Sequence, residues 1–351
     1  MGPKKRIFEL LLILGTAFLV WGCSRSGSSI ESKEENKETA AQTEVSEITG
    51  PKIGVSIYRY DDNFMKVYRS ELKQCLGETY QAEVLMRNAG GSQEEQNRQV
   101  GEFISEGCDG IIINPVEVSA AGEIADECSQ AGIPLVFINR EPGIEERERW
   151  KKNHMAVASV GTDSRQAGTY QGEIILETGN KGDVNGDGIV SYAMIMGEEE
   201  NEDSGYRTEY SVKALEDGGM KTEELFLGHG DWDKNKGKKL AQSALNTYGT
   251  RIEVIFCSND AMADGALEAV EEAGLIPGKD VYLVGVDALE DTVIAVKTGK
   301  ITGTVFNDHE SQSKAASDAL IKMINGEETD TRYLVDYIKI TAISTFQKEE
   351  P

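Results

Sequence analysis

Short apolar runs alternate with longer amphipathic stretches along most of the chain. The apolar runs predict strands at 52–58, 83–86, 110–114, 134–138, 157–161, 190–196, 222–227, 254–257, 281–286 and 303–306. The stretches between them predict helices at 63–77, 93–105, 119–131, 165–178, 204–217, 234–248, 260–273, 289–298 and 311–324. Apolar strands separated by helices are typical of parallel sheets covered on both faces. The strands are too many for one small sheet, so the pattern predicts an α/β fold with two doubly wound domains.

Polar side chains recur directly after the predicted strands. In doubly wound sheets, ligands bind beyond the carboxyl ends of the strands. Those positions carry Asp62, Asn114, Asn139, Asp203 with Arg207, Asn259, Asp287 and Asn307. Asp and Asn are also common turn residues, so each of them alone has a structural explanation. Their recurrence at one end of both predicted sheets favours a binding site.

The residue types at these strand ends suit a neutral polyol. Carboxylates and carboxamides hydrogen-bond hydroxyl groups, and Arg207 offers a planar fork of donors. Aromatic rings such as Phe64 and Trp232 can stack on the C–H faces of a sugar ring. The chain has three histidines and no Gly-x-Ser-x-Gly motif, which argues against an enzyme. Asp62 and Asp287 could supply the two carboxylates of a glycosidase, which we keep as a minor alternative.

Length and charge narrow the class of partner. The 351 residues are enough for about two domains, and the formal net charge is −25. Binding to nucleic acid or to an anionic membrane surface needs clustered Lys and Arg, so this charge argues against both partners. An uncharged ligand is compatible with it.

The N-terminal segment has the features of an export signal. Basic residues precede an apolar run at 10–21 that is too short to span a bilayer comfortably. Residues 20–23, Val-Trp-Gly-Cys, resemble a bacterial lipobox. We therefore expect a signal peptide at 1–22 and a lipid anchor on Cys23, with a single-pass anchor as the alternative. Residues 23–50 are polar and are expected to form a disordered tether.

One loop has the spacing of a calcium site. Asp183, Asn185 and Asp187 take positions 1, 3 and 5 of an EF-hand loop, the Ile189 carbonyl takes position 7, and Ser191 takes position 9. Position 12, where an EF-hand has a bidentate Glu, is Met194 inside an apolar run. The loop is therefore either an acidic turn or a calcium site whose last ligand comes from elsewhere in the chain.

Six motifs occur in order along the folded region. They are Ile-Tyr-x-Tyr-Asp-Asp-Asn-Phe-Met at 57–65, Asn-x-Glu-Pro at 139–142, Val-Gly-Thr-Asp-Ser at 160–164, Asn-Asp-Ala-Met-Ala at 259–263, Gly-Val-Asp-Ala-Leu at 285–289 and Gly-Thr-Val-x-Asn-Asp at 303–308. Together they resemble the periplasmic D-galactose/D-glucose-binding protein family, the solute receptors of sugar ABC transporters. The resemblance covers about 52–346.

The resemblance implies a type I periplasmic binding protein fold with a three-crossing hinge. The N-terminal domain would comprise 51–159 with 308–342, and the C-terminal domain 160–307 with 343–351. The crossings would lie near Ser159, Asp308 and Ala342.

The resemblance also assigns roles to the strand-end residues. Sugar ligands would be Asp62, Phe64, Asn139, Asn201, Asp203, Arg207, Trp232, Asn259, Asp287 and Asn307, with Phe64 and Trp232 sandwiching the ring. Asn201 stands where the family has a histidine, which affects the preferred hexose. Asn114 matches no sugar contact and is expected to be structural. Glu253 would complete the calcium set, in which Ser191 replaces a glutamine and weakens binding.

The function implied is capture of a monosaccharide, galactose or glucose, by hinge closure and delivery to an ABC permease. We expect a lipid-anchored extracytoplasmic monomer with structural Ca²⁺ and no catalysis. Another sugar such as ribose or xylose stays open as ligand, as does a chemoreceptor as a further partner. A transcription regulator would need an N-terminal helix-turn-helix where this chain has a lipobox. A calcium sensor would need a helix pair where apolar strand sequence follows the loop.

Overall fold

Strands and helices alternate through residues 50–342, the part of the chain that the computed structural model describes. The strands are β1 (Lys52–Ile57), β2 (Glu83–Asn88), β3 (Gly110–Ile113), β4 (Leu135–Ile138), β5 (Val157–Gly161), β6 (Ile189–Met196), β7 (Lys221–His229), β8 (Val254–Cys257), β9 (Tyr282–Val284), β10 (Gly303–Phe306), β11 (Arg332–Leu334) and β12 (Ile338–Thr341). The helices are α1 (Asn63–Gln74), α2 (Gln93–Ser105), α3 (Ala121–Ala131), α4 (Ile144–Lys152), α5 (Ser164–Leu176), α6 (Glu202–Asp217), α7 (Lys234–Tyr248), α8 (Asp260–Glu272), α9 (Glu290–Lys297) and α10 (His309–Ile324). The predicted signal peptide, Cys23 and nearly all of the predicted tether lie outside the described residues.

The strands form two sheets, which confirms the α/β fold with two domains. Within residues 50–342, one sheet has the order β11-β5-β4-β3-β1-β2 and the other the order β12-β10-β9-β8-β6-β7. Each is six-stranded. Neighbouring strands are parallel except at one edge, where β12 runs antiparallel to β10. The expectation of parallel sheets is therefore corrected at that edge, since a short return strand completes the second sheet.

The chain passes between the two sheets three times in the described region. The first pass lies between β5 and α5, because α5 packs against α6, β10 and β12 of the second lobe. The second lies between β10 and α10, because α10 packs on β3, β4 and β5 of the first. The third lies between β11 and β12, which belong to different sheets.

Two expected crossing positions need correction. Ser159 is buried inside β5, so the first pass comes after that strand ends at Gly161. The pass expected near Ala342 occurs earlier, between Leu334 and Ile338, because residues 338–341 already pair with β10. Asp308 does lie at the second pass, between β10 and α10.

Three elements were not expected from the apolar pattern. Helix α4 is highly charged, and Trp150 is its one buried residue, stacked on Phe137 with ring centroids 5.4 Å apart. Strands β11 and β12 are short and none of their residues is buried. A search for apolar periodicity misses such elements because they bury so little surface.

Each sheet is covered by helices on both faces, which places apolar cores above and below it. Ile53, Val55 and Ile57 of β1 are completely buried. Burying each such side chain stabilises the fold by about 1.5–3 kcal/mol. The carboxyl ends of the strands are thereby held in place at the edge where their polar loops begin. No helix among residues 50–342 is long and apolar enough to cross a membrane.

Candidate functional site

A cavity lies at the carboxyl ends of both sheets, between the two lobes. Twelve side chains line it: Tyr58, Asp62, Phe64, Asn139, Arg140, Asn201, Asp203, Arg207, Trp232, Asn259, Asp287 and Asn307. All ten predicted sugar ligands are among them. The first five residues follow β1 and β4 of the first sheet, and the others follow strands β6 to β10 of the second. The structure thus brings the predicted set together, and its binding of sugar stays a prediction.

Three of the lining residues also begin helices. The Asp62 carboxylate accepts a hydrogen bond from Met65 N at 2.7 Å and caps α1. The Asn201 amide oxygen caps α6, 2.9 Å from Asp203 N, and that of Asn259 caps α8. Capping uses one oxygen of each side chain. The other Asp62 oxygen accepts from the Tyr58 hydroxyl and the Asn259 amide nitrogen donates to the Trp232 carbonyl at 3.3 Å, so each keeps one further lone pair or hydrogen for a ligand. The structural and ligand-binding explanations of these residues are therefore compatible.

Left-handed backbone conformations are concentrated at the cavity. Asn139 has φ 63°, Trp232 has φ 64° and Asp287 has φ 116°, and their neighbours Asp231 and Ala288 are also left-handed. Non-glycine residues in such regions cost on the order of 1–3 kcal/mol each, so the surrounding packing must impose them. They turn the side chains into the cavity.

The position of Trp232 also depends on a glycine in the neighbouring loop. A Cβ atom built on Gly197 would lie 2.2 Å from two carbons of the indole ring. Any side chain at position 197 would displace the ring, so Gly197 lets β6 pass directly beneath this wall of the cavity.

Arg207 is held rigidly in the second lobe and is 4% exposed. One Nη donates to the Ser258 carbonyl at 2.6 Å and the other to the Tyr337 hydroxyl at 3.1 Å. Its Nε is buried and has no partner among the described residues. The guanidinium carbon lies 5.7 Å from the Trp232 ring centroid. Arg207 therefore offers a fixed, unused donor beside an aromatic wall.

Tyr337 connects Arg207 with two of the segments that join the lobes. It lies between β11 and β12, in the third pass, and is 2% exposed. Its hydroxyl accepts a hydrogen bond from Thr162 at 2.7 Å, and Thr162 lies in the first pass. Its backbone N donates to the Gln166 side chain at 2.7 Å. The site arginine and two inter-lobe segments thus meet at one phenol.

Asp287 is a buried acceptor whose negative charge is costly. Burial raises the pKa of Asp287 to about 7; Arg207 opposes this rise and the charge of Asp62 adds to it. The Asn307 amide donates to Asp287 at 3.3 Å, and Gln312 in turn holds the Asn307 oxygen at 2.7 Å. Asp203 is fixed by Ser164, whose hydroxyl donates to it at 2.6 Å.

Two lining residues, Tyr58 and Arg140, were missed in the sequence. The Tyr58 hydroxyl donates to Asp62 at 2.5 Å, and the Arg140 guanidinium lies 3.8 Å from the centroid of the Tyr58 ring. Arg140 also forms an ion pair of 2.8 Å with Glu198 of the opposite lobe. Each residue stands within a quoted motif or beside an assigned ligand, and that adjacency was the available signal.

Asn114 is structural, as expected. It is completely buried, and its amide nitrogen donates to the Ile138 carbonyl and to the Asn139 side chain, both at 3.2 Å. Its oxygen accepts from Tyr58 N at 3.4 Å. Asn114 therefore positions two lining residues without reaching the cavity.

The predicted calcium loop is folded around its acidic side chains. Asp183 accepts hydrogen bonds from Gly186 N at 2.8 Å and from Gly188 N at 3.0 Å. Glu253 is completely buried, and its two oxygens accept from Asn185 N at 2.8 Å and Ser191 N at 2.9 Å. The residue that the resemblance assigned to this loop therefore lies beside it and binds its backbone.

These contacts do not by themselves form a metal centre. In residues 50–342, no group of three His, Cys, Asp or Glu side chains is arranged to hold a metal ion. The carboxylates are instead turned towards backbone N–H groups. Calcium binding by Asp183, Asn185, Asp187, Ile189, Ser191 and Glu253 stays a prediction.

Comparisons with known proteins agree on one class of binding protein. The sequence profile described as "Periplasmic binding protein domain" matches residues 53–328. The D-galactose/methyl-galactoside binding periplasmic protein of Haemophilus influenzae is 35% identical over 268 residues, which cover 75% of this chain and 78% of that protein. A putative rhizopine-binding protein of Rhizobium meliloti is 28% identical and covers 82% of this chain and 89% of its own.

A solved structure has the same fold. An ABC transporter solute binding protein from Bacillus halodurans, with bound myo-inositol, matches with a TM-score of 0.73 and 29% identity. The match covers 87% of this chain and 99% of that chain.

The raised pKa of Asp287 generates a prediction about stability. Between about pH 4, the pKa of an unfolded Asp, and about pH 7, the folded protein binds a proton that the unfolded chain lacks. The contribution of the neutral Asp287 carboxyl to the free energy of unfolding is fully present below about pH 4. It is lost as the pH rises through 7. We expect Asp287→Asn to raise the free energy of unfolding at pH 8 by about 1 kcal/mol or more, with a smaller gain at pH 5.

Denaturant unfolding at both pH values measures this effect. Glu328→Gln, at an exposed carboxylate, is the matched control and should change little. A less stable Asp287→Asn protein at pH 8 would show that Arg207 compensates the buried charge.

Proposed function

The chain belongs to the periplasmic binding protein domain family, and we propose that it is the sugar receptor of an ABC transporter, with galactose or glucose as its ligand. Like the relatives it matches, it is a binding protein and not an enzyme. The observation that carries the proposal is the cavity in which both lobes present carboxylates, carboxamides, Arg207 and aromatic rings. Galactose appears in the name of a relative at 35% identity. Myo-inositol, another neutral ring of hydroxyl groups, occupies a relative at 29% identity.

In this proposal, residues of both lobes contact the sugar. Asp62 and Asn139 of the first lobe and Asp203, Asn259 and Asp287 of the second accept or donate hydrogen bonds to ring hydroxyls. Arg207 donates through its unpaired Nε. Phe64 and Trp232 cover apolar faces of the ring. A bound sugar completes hydrogen bonds that neither lobe can complete alone.

The proposed mechanism is closure about the three inter-lobe segments. A ligand shifts an equilibrium between open and closed forms only through contacts that differ between them. The sugar contacts both lobes only when the cleft is closed, and the Arg140–Glu198 ion pair also spans it. The ABC permease would then recognise the closed pair of lobes. Ribose and xylose are the alternative ligands, and the titration described next includes both. A chemoreceptor stays an alternative as a further partner of the closed form.

Calorimetric titration of residues 50–351 with glucose, galactose, ribose and xylose tests this function. We expect saturable heat with a hexose and no product in the recovered ligand. Arg207→Ala should weaken hexose binding by about 100-fold, since a buried charge-assisted hydrogen bond is lost.

Arg98→Ala is the matched control, because Arg98 lies on the exposed face of α2 and pairs with Glu95 and Glu102. Absence of heat with every monosaccharide would refute the proposal, and release of a product would favour a glycosidase. Normal binding by Arg207→Ala would refute the site.

We also propose that the loop at Asp183 binds Ca²⁺ as a structural clamp. Glu253 supports this, because its buried carboxylate faces the loop and no Lys or Arg of the described residues pairs with it. Gly186 and Gly188 are left-handed, as a tight oxygen-rich loop requires. Asp183, Asn185, Asp187, Ser191 and the Ile189 carbonyl would supply the other oxygens. The ion would neutralise charge within the second lobe.

Chelation measures this clamp directly. With calcium at 100 times its dissociation constant, binding adds about 2.7 kcal/mol to the free energy of unfolding. We expect a chelator to lower Tm by several degrees, and Glu253→Gln to abolish the difference. Glu328→Gln should retain it. An identical Tm with calcium and with chelator would remove the site.

Finally, we propose that Cys23 carries a lipid anchor outside the cytoplasm, as the lipobox-like residues 20–23 suggest. The full chain expressed in bacteria should partition with membranes and take up labelled fatty acid, and Cys23→Ser should do neither. Equal labelling of the two proteins would exclude Cys23 as the anchor.

A further inference from the structure

A second and larger cavity lies beside the sugar cavity, in the same cleft. We name the two the inner cavity, lined by the twelve residues above, and the outer cavity. The outer cavity is much the larger of the two. Arg140, Asn201 and Asp203 line both. The outer space is therefore separated from the inner one by side chains that the two share.

Arg140 and Asn201 are two of the side chains that form the boundary between the cavities. Arg140 extends from the first lobe to pair with Glu198 of the second, and a second guanidinium nitrogen donates to the Val116 carbonyl at 3.1 Å. Asn201 is turned towards the N-terminus of α6, which it caps. A ligand that spans both cavities requires this pair to change rotamer, which the long stem of Arg140 and the 30% exposure of Glu198 permit.

The walls of the outer cavity suit a ring with apolar faces and hydroxyl edges. Tyr206 of α6 lines one side, with the Arg165 guanidinium 5.2 Å from its ring centroid. Val118 and Ile144 line the other and are 39% and 66% exposed, although both are apolar. Exposed apolar side chains at a concave surface, together with polar groups, are characteristic of ligand sites.

The charge of the outer cavity excludes one class of ligand. Its lining includes four arginines, namely Arg140, Arg147, Arg165 and Arg332, against eight carboxylates. Each of these arginines is already paired with a carboxylate. The remaining carboxylates leave the cavity negative, which disfavours phosphorylated or acidic substituents.

We propose that the outer cavity is a second ligand subsite, which accepts a neutral sugar ring linked to the sugar in the inner cavity. The inference rests on the proposed function. The inner cavity recognises one ring through buried polar groups, and the linked ring lies against Tyr206 on one side and against Val118 and Ile144 on the other. The protein is then a receptor for short neutral glycosides as well as for free hexose.

Calorimetric titration of residues 50–351 with glucose, galactose, lactose, melibiose, maltose and isomaltose tests the subsite. We expect the dissociation constant of at least one disaccharide to lie within about 10-fold of that of the tightest-binding monosaccharide. Tyr206→Ala should weaken binding of that disaccharide by about 3- to 10-fold, the range expected for one stacked aromatic ring. It should change monosaccharide affinity by less than twofold.

Tyr210→Ala is the matched control. Tyr210 lies one turn further along α6, edge-on to Tyr206 with ring centroids 6.5 Å apart, and does not line the cavity. Ile144→Arg is a second variant on the opposite wall, at an exposed position where folding is not at risk. It should also weaken the disaccharide selectively, and melting curves of all variants check folding.

The outcomes separate this inference from the proposed function. If no monosaccharide binds, the proposed function fails and the subsite with it. If a monosaccharide binds and none of the four disaccharides does, the subsite alone is refuted. If a disaccharide binds but Tyr206→Ala and Ile144→Arg behave like Tyr210→Ala, the second ring lies elsewhere and the inference is overturned.

Discussion

The inner cavity depends on side-chain oxygens that cap helices in the loops after strands. Parallel strands are usually joined through a crossover helix, and the first N–H groups of that helix need acceptors. Asp62, Asn201 and Asn259 supply them, each in the loop after a strand with a buried apolar core. The same requirement places polar groups at the cleft in both lobes. Three of the proposed sugar ligands therefore also have a structural function at the start of a helix.

The cavity also concentrates unfavourable features, as binding sites commonly do. Asp287 is buried with a left-handed backbone, and Asp260 behind it is completely buried. Burial raises the pKa of Asp260 well above its usual range, although the Thr304 hydroxyl and Leu289 N both donate to it, the first at 2.6 Å. Such buried groups reduce the stability of the protein. Of the two, Asp287 lines the cavity, where a hydroxyl group that hydrogen-bonds to it gains more free energy than it would in water.

Much of the fold and site was predictable from the sequence, for physical reasons that also explain the failures. Continuous apolar residues predict buried strands, and the polar residues that follow those strands include Asp62, Asn139 and Asp287, which line the inner cavity. Arg140 was missed because its ion pair is with Glu198 of the opposite lobe. Tyr58 was missed because its contacts with Asp62 and Arg140 arise only when the loops after two different strands fold together. The third inter-lobe segment was misplaced because β11 and β12 bury no residue. The left-handed conformation of Trp232 has no signature in its residue type.

The phenol of Tyr337 contacts both a residue of the inner cavity and a segment that links the lobes. It holds Arg207 in place while lying on a segment that links the lobes, and it also bonds Thr162 on another such segment. Under the closure proposed above, a substitution at this phenol would alter both the position of Arg207 and the packing between two inter-lobe segments. Ligand preference and lobe movement would then change together in any variant of this residue.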